Sequence, residues 1–402
     1  MHIINLTPTQ YKNFASIHNT KSLGQTLEHS SNTQNKLFLG MIDEYNNLYA
    51  AVFLIIKKIS PNIQEAYAKD GFIIDYSNTS LLTTFTNELK KHLKKIKITY
   101  LLTNPKFQLK TYDKNNNLSK DNTYILNNLI NIGYKTNGYQ DSFSKYNIII
   151  DNHNTNDIYR NFNRNTKRNI KNAMNMAITL HKGTINDIDT FYNIIKKKTN
   201  KNISYYTNMM NTYNTKDNKM DIFFAKLNPQ AFLENAKKLY EKEQRKNEKI
   251  YQYIAKHNGK MDNKTLNKKI NSDIVLEKYK YLLNQAITFS SKYKESITLS
   301  TCAIIRNNKE IYFVIDGYNE QYRDIHSNHL LKWAIIKKYS LINYKTFHLG
   351  EIHKDYKNTE NKYHGQYLYK IGFGGTIVEY PPTLKLIINK PKYALYNIIR
   401  KF

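Results

Sequence analysis

Segments of helical spacing alternate with strand-length apolar runs along most of this chain, and the rhythm breaks once, between Pro229 and Ser291. Tyr49-Ala50-Ala51-Val52-Phe53-Leu54-Ile55-Ile56 is a continuous apolar run of strand length, whereas Leu81 to Lys95 sets Leu81, Leu82, Phe85, Leu89 and Leu93 on one side of a helix. Ile98-Thr99-Tyr100-Leu101-Leu102 returns as a strand ended by Asn104-Pro105. A helix from Asn122 to Ile132 stops at Gly133, a residue suited to a C-cap, and Tyr146 to Ile150 reads as the next strand. After residue 150 the pattern starts again, with helix Arg164 to Ala177, strand Ile178-Thr179-Leu180, helix Ile185 to Lys198, and strands Ser296 to Arg306 and Glu310 to Ile315. Such alternation defines an α/β (α+β) chain built of two similar units in tandem. The expected boundaries are 1–150 for the first unit, 151–228 with 292–402 for the second, and 229–291 for an insertion.

Within the insertion, helix formers and charges dominate and no strand signal appears. Phe232, Leu239, Ile250 and Ile254 are expected to form one seam, facing Ile270, Ile274, Leu283 and Ile287 across the turn Lys256-His257-Asn258-Gly259-Lys260. An antiparallel helical hairpin, a coiled-coil arm projecting from the second unit, follows from the short turn.

Chemistry is most concentrated in Tyr367-Leu368-Tyr369-Lys370-Ile371-Gly372-Phe373-Gly374-Gly375. One lysine sits there among aromatics just before a glycine-rich turn. Glycine lets a backbone approach closely or take positive φ, and an aromatic surround excludes water, strengthening an ammonium's hold on developing negative charge. A solvated lysine beside a β-bulge is the plainer reading of the same residues.

The net charge of +29 suits a polyanion such as RNA or an anionic membrane surface. Asn, Lys, Ile and Tyr are enriched together, as AT-rich codons would produce, which offers a second origin for that charge. No RNP-type motif or zinc-knuckle spacing is present. Cys302, the single cysteine, lies in the apolar run Thr301 to Ile305 and is expected in a buried strand, which excludes internal disulfides and thiolate-rich metal sites. His348, His353 and His364 match no metal signature, so no metal and no cofactor is expected. No window approaches the roughly 20 apolar residues of a membrane span, and the N-terminus lacks a secretory pattern. A cytoplasmic protein is expected, its basic surface favouring the inner leaflet of the membrane.

Read together with His329 to Lys338, His348-Leu349-Gly350-Glu351-Ile352 and Lys390-Pro391-Lys392-Tyr393, the C-terminal third resembles the Fem family (FemABX) of tRNA-dependent aminoacyltransferases, which build the cross-bridge of bacterial peptidoglycan. The resemblance extends through Tyr11 to Phe14, Gly24-Gln25-Thr26-Leu27-Glu28, Asp70-Gly71 with Asp75-Tyr76, Arg164 to Ala173, and Phe191-Tyr192 with Thr199. It implies two tandem GNAT-like domains, a coiled-coil arm in the second, an aminoacyl-tRNA donor and a peptidoglycan-precursor acceptor, lipid-linked or nucleotide-linked.

By the same resemblance Lys370 is the candidate for stabilising the tetrahedral oxyanion, and Tyr369 for stacking on the terminal adenine of the tRNA. Asp316 and Glu351 end strands and are candidates to take the acceptor's proton, although strand-end acids commonly cap or pair. Asp316 is the one placed with Lys370 and Tyr369 in the catalytic set. Lys36, Lys201, Tyr206, Tyr318, Gly372, Gly374 and Gly375 are the candidate substrate-binding residues. Arg164 and Arg168, i and i+4 on one helix, suit a phosphate backbone, though a solvated face is the commoner meaning. Three positions depart from the family pattern: Asn104 replaces a carboxylate, Asn200 to Tyr206 holds no arginine, and His29 to Thr33 replaces a Trp-Ala-x-x-Lys run. An acyl-CoA-dependent N-acyltransferase of the same fold would need an Arg/Gln-x-x-Gly-x-Gly/Ala loop, which is absent. A non-catalytic RNA-binding protein is the other alternative.

Overall fold

The computed structural model describes residues 1–18, 22–31, 33–151 and 155–399, so Asn32 lies outside the described residues. In chain order it runs β1 (His2–Asn5), α1 (Pro8–Ile17), α2 (Leu27–Ser31), β2 (Lys36–Ile42), β3 (Leu48–Ser60), β4 (Ile63–Ala68), α3 (Thr79–Lys95) and β5 (Tyr100–Thr103). Next come β6 (Lys110–Tyr112), β7 (Leu118–Asp121), α4 (Thr123–Asn131), β8 (Tyr134–Thr136), β9 (Tyr146–Asp151), α5 (Thr155–Asn161), α6 (Arg164–Met174), β10 (Thr179–Lys182), α7 (Ile188–Ile195), α8 (Ile203–Thr212) and β11 (Asn218–Leu227). The rest is α9 (Pro229–Lys256), α10 (Asn263–Lys292), β12 (Ile297–Asn307), β13 (Glu310–Tyr318), α11 (Ser327–Leu341), β14 (Thr346–Ile352), α12 (His364–Ile371), β15 (Thr376–Glu379), β16 (Leu384–Ile387) and α13 (Lys390–Ile399).

Two sheets result, ordered β1-β2-β3-β4-β5-β16-β8 and β10-β11-β12-β13-β14-β9-β15-β6-β7. The first seven places correspond. In each sheet the fourth and fifth strands are the parallel pair, β4 with β5 and β13 with β14, joined by a long helix, α3 or α11. A repeated unit is therefore visible in topology. The sixth place is filled by exchange: β16, which closes the second unit, lies between β5 and β8, while β9, which closes the first, lies between β14 and β15. The β6–β7 hairpin also pairs onto β15. A boundary at 150/151 thus does not follow the sheets, because hydrophobic period tells which face of a strand is buried and not which strand it pairs with.

Local causes of the elements are plain. Asn78 caps α3 by accepting the Leu81 N–H, and Lys97, at φ +65°, ends the turn that follows. Between them Leu82, Phe85, Leu89 and Leu93 are fully buried against Leu101, Leu384 and Leu386, each burial contributing about 1.5–3 kcal/mol. Cys302 is buried in β12, opposite Asp316 of β13. α6 stops short of Ala177, which sits at φ +51°, and α8 and β11 occupy a stretch in which no element was expected. Among the described residues no helix is long and apolar enough to cross a membrane.

α9 and α10 form the antiparallel hairpin, with Phe232 set edge-on to Phe289 near its base. Further out the seam is polar. Asn247 donates to Asp273 at 2.7 Å, and the Ser272 hydroxyl donates to Glu243 at 2.9 Å. Glu243, Asn247, Ser272 and Ala286 are buried, whereas Ile270, Ile274 and Ile287 face outward, so the seam expected from isoleucine spacing is rotated.

The Gln-x-x-Glu turn ties the units together. Gln25, 1% exposed, accepts from the Tyr11 hydroxyl and the Phe53 N–H and donates to the Phe53 and Lys69 carbonyls. Glu28 reaches the second unit, accepting from the Thr215 hydroxyl and from Asn218 Nδ2, both at 2.7 Å.

Candidate active site

β13 and β14 pair only along Glu310–Tyr312 and Thr346–His348. Beyond that the strands separate, and a bulge between His348 and Gly350 in the pairing of β14 with β9 sets Gly350 at φ +95°. Two cavities meet at this opening. One, about 940 Å³, lies between the units and takes Asp70, Asn104, Lys106 and Asp141 from the first and Tyr205 and Tyr213 from the second. The other, about 800 Å³, lies in the second unit apart from Phe143 and is rimmed by Lys198, Tyr318, Arg323 and His326, with Asp316 and Lys332 inside.

Lys370 stands where they join. It occupies the last turn of α12, not a strand edge, and its Nζ donates to the Glu351 carbonyl at 2.7 Å. A Cβ on Gly350 would come within 3.1 Å of that Nζ, so the glycine makes the approach possible. Burial and the neighbouring Lys332 ammonium lower the Lys370 pKa to about 8, against the pull of Asp316 and Glu351.

Behind Lys370 lies a buried ion pair. Lys332, 2% exposed, holds Asp316 Oδ2 at 2.7 Å and sits 4.7 and 4.8 Å from the ring centres of Phe313 and Tyr369. The Tyr369 hydroxyl is 3.2 Å from the same carboxylate oxygen, and its ring packs edge-on to His329 and Phe373. Burial alone would raise the Asp316 carboxyl; Lys332, with Lys198 and Lys370 beyond, overrides it and holds the group at about 2. Asp316 is therefore a fixed anion that orients Lys332 and Tyr369, and its low proton affinity makes it a poor acceptor for the amine's proton, against the expectation from its strand-end position.

The remaining candidates separate into groups. Tyr318 lines the second cavity beneath Lys198, whose Nζ is 3.9 Å from its ring centre. Arg164 and Arg168 are exposed on α6, and Arg168 adds slightly to the burial that lowers the pKa of His326 on the cavity rim. Lys36 donates to the Ser30 carbonyl, Lys201 lies over Tyr205, and Tyr206 is buried with its hydroxyl on Thr199; none lines either cavity. Gly372, Gly374 and Gly375 likewise serve packing of the chain on itself. A Cβ on Gly374, at φ +75°, would fall 2.6 Å from the Asn161 carbonyl oxygen. Gly374→Ala is thus expected to cost at least about 1–2 kcal/mol, read as a lowered urea midpoint.

Several cavity residues carry no local sequence signal, notably Lys106, Asp141 and Tyr213, which arrive on separate loops and helices. Lys332 had one: it falls on the buried stripe of α11 with Ile335, Ile336 and Tyr339, where the period calls for an apolar residue. Asn104 uses its Oδ1 to accept from the Tyr67 hydroxyl and the Asp70 N–H, holding Asp70 at φ +59° on the cavity wall.

Two unlike cavities meeting beside one half-buried lysine form an arrangement suited to group transfer between two substrates. The chain belongs to the FemAB family, whose model matches residues 6–401. It is similar to aminoacyltransferase FemA of Staphylococcus epidermidis, 23% identical over 428 residues, spanning 100% of this chain and 99% of that one. The lipid II:glycine glycyltransferase of Staphylococcus saprophyticus is 23% identical over 385 residues, covering 91% of this chain and 86% of its own length. The crystal structure of FemX shares the fold, with a TM-score of 0.76 at 18% identity over 98% of this chain and 99% of that one.

Proposed function

We propose that this protein transfers an amino acid from aminoacyl-tRNA to the side-chain amine of the stem peptide of a lipid-linked peptidoglycan precursor, building an interpeptide bridge. The observation that carries this reading is that the two cavities meet at Gly350 and Glu351, directly against the Lys370 ammonium. Attack of the amine on the aminoacyl ester produces a tetrahedral oxyanion, and an ammonium already aimed at the meeting point stabilises that charge without reorganising.

The cavities divide the substrates by charge. The second cavity holds Lys198, Arg323, Lys332 and Lys370 against Asp316 and Glu351, an excess of cations suited to the terminal nucleotide of a tRNA. The cavity between the units sets Lys69 and Lys106 against Asp70, Asp141, Asp151, Glu310 and Glu351, an excess of acids suited to a peptide that presents an amine. Along the arm, Lys238, Lys242, Arg245, Lys249, Lys264 and Lys268 line a groove of about 1180 Å³ that fits a polyanionic backbone. The names of the relatives, an aminoacyltransferase and a lipid II glycyltransferase, support the same reaction.

The test combines purified protein with tRNA charged with radiolabelled glycine, serine or alanine and with lipid-linked or nucleotide-linked muropeptide. Label is expected to move to the lipid-linked precursor, and ribonuclease treatment of the donor is expected to abolish transfer. No movement of label from any donor to either precursor by folded protein would overturn the reading.

A further inference from the structure

We propose that Glu351 takes the proton from the acceptor amine, an assignment that rests on the transfer reaction above. Four residues line both cavities, namely Phe313, Val314, Gly350 and Glu351, and Glu351 alone among them has an ionisable side chain. It stands where an amine from one cavity meets an ester from the other. Its main chain is held by the Lys370 contact, so the side chain that follows Gly350 is fixed at its root.

The other acids near the junction are committed. Asp316 is tied to Lys332, Asp70 accepts the Gly24 N–H at 2.8 Å, Asp141 accepts the Phe143 and Ser144 N–H groups at 2.7 and 2.8 Å, Glu310 accepts from the Tyr312 hydroxyl, and Asp151 accepts from the Thr346 hydroxyl at 3.3 Å. Glu351 is 45% exposed to the cavity, and its ion pair with Lys106 is long, at 3.6 Å. The charged and titratable groups facing it are Lys106 after β5, Asp141 before β9, Lys370 on α12 and Tyr380 after β15. Burial raises its carboxyl above the ordinary value, Asp141 adds to the rise, and Lys106 and Lys370 oppose it without cancelling it. A carboxylate of raised proton affinity is better matched to accepting a proton near neutral pH.

The proton balance is simple. The amine arrives as an ammonium, and its first proton passes through Glu351 to water. The neutral nitrogen then forms the C–N bond, Glu351 takes a second proton from it, and the C–O ester bond breaks as that proton passes to the departing ribose oxygen. The products are an amide, a free hydroxyl and one proton in solution.

The experiment is single-turnover transfer by the full chain across pH. Glu351→Gln is expected to be slower by about 10²–10⁴-fold and to lose the acidic limb of the wild-type profile, with an unchanged urea midpoint. Lys106→Met, which leaves Glu351 in place but removes a cation that lowers its proton affinity, is expected to move that limb to higher pH. Transfer by Glu351→Gln at the wild-type rate, or slower transfer with the limb intact, would overturn the assignment while leaving the reaction standing. Failure of the wild-type protein to transfer would overturn the reaction, and the assignment with it.

Discussion

Lys370→Met reduces single-turnover transfer by about 10²–10³-fold with the fold preserved, the loss typical of removing one oxyanion donor from a water-poor site. The methionine keeps the length of the side chain in the last turn of α12 and removes only the charge and its donation to Glu351. pH separates this effect from a packing change. The wild-type Lys370 loses its proton near about 8, so transfer should decline above that pH as the ammonium disappears. In Lys370→Met that basic limb is absent and the residual rate is flat through the same range. A variant that transfers at the wild-type rate, or that keeps the limb, contradicts the role given to Lys370.

Lys332→Met is expected to be the most destabilising single change near the site, costing about 3–5 kcal/mol because one partner of a buried ion pair is left uncompensated. Asp316 keeps 27% contact with the cavity, so the lower end of that range is the expectation. The double variant Lys332→Met with Asp316→Asn should recover most of the loss, since it removes both charges and leaves an amide oxygen for Tyr369. Urea unfolding of the two variants beside wild type measures this. The acid response follows from the sign of the Asp316 shift. Its carboxyl is lowered from 3.8 to about 2, so its stabilisation is complete above the higher value and is lost as pH falls toward the lower one. Asp316→Asn should lack that loss. A Lys332→Met protein with the wild-type midpoint would show that the pair carries no stability.

The tandem organisation was legible because apolar runs of strand length and amphipathic helices alternate locally, as in β3 and α3. The exchange of β9 and β16 was not, since the choice of partner for a strand depends on loop paths and register far away in sequence. In the arm the extent of the helices was readable from the lack of strand signal. Its seam is rotated from the one that apolar spacing predicts, because the buried places at Glu243, Asn247 and Ser272 are polar while Ile270 and Ile274 lie on the outer side. Lys370 stood out through its aromatic and glycine neighbours, although those glycines turn out to pack the chain against Asn161, Thr166 and Ile149. The junction was hidden for a different reason. Glu351, Lys106 and Asp141 come from three separate loops and strand ends, so only the folded chain brings their charges together.

The most direct test of the two-cavity account is a structure of the protein with a stable amide-linked analogue of aminoacyl-adenosine and a soluble muropeptide. The adenosine is expected in the second cavity beside Tyr318 and Lys198, the acyl carbonyl at Lys370, and the acceptor amine at Glu351. An analogue seated between the units against Asp70 and Asn104, with its carbonyl away from Lys370, would contradict it.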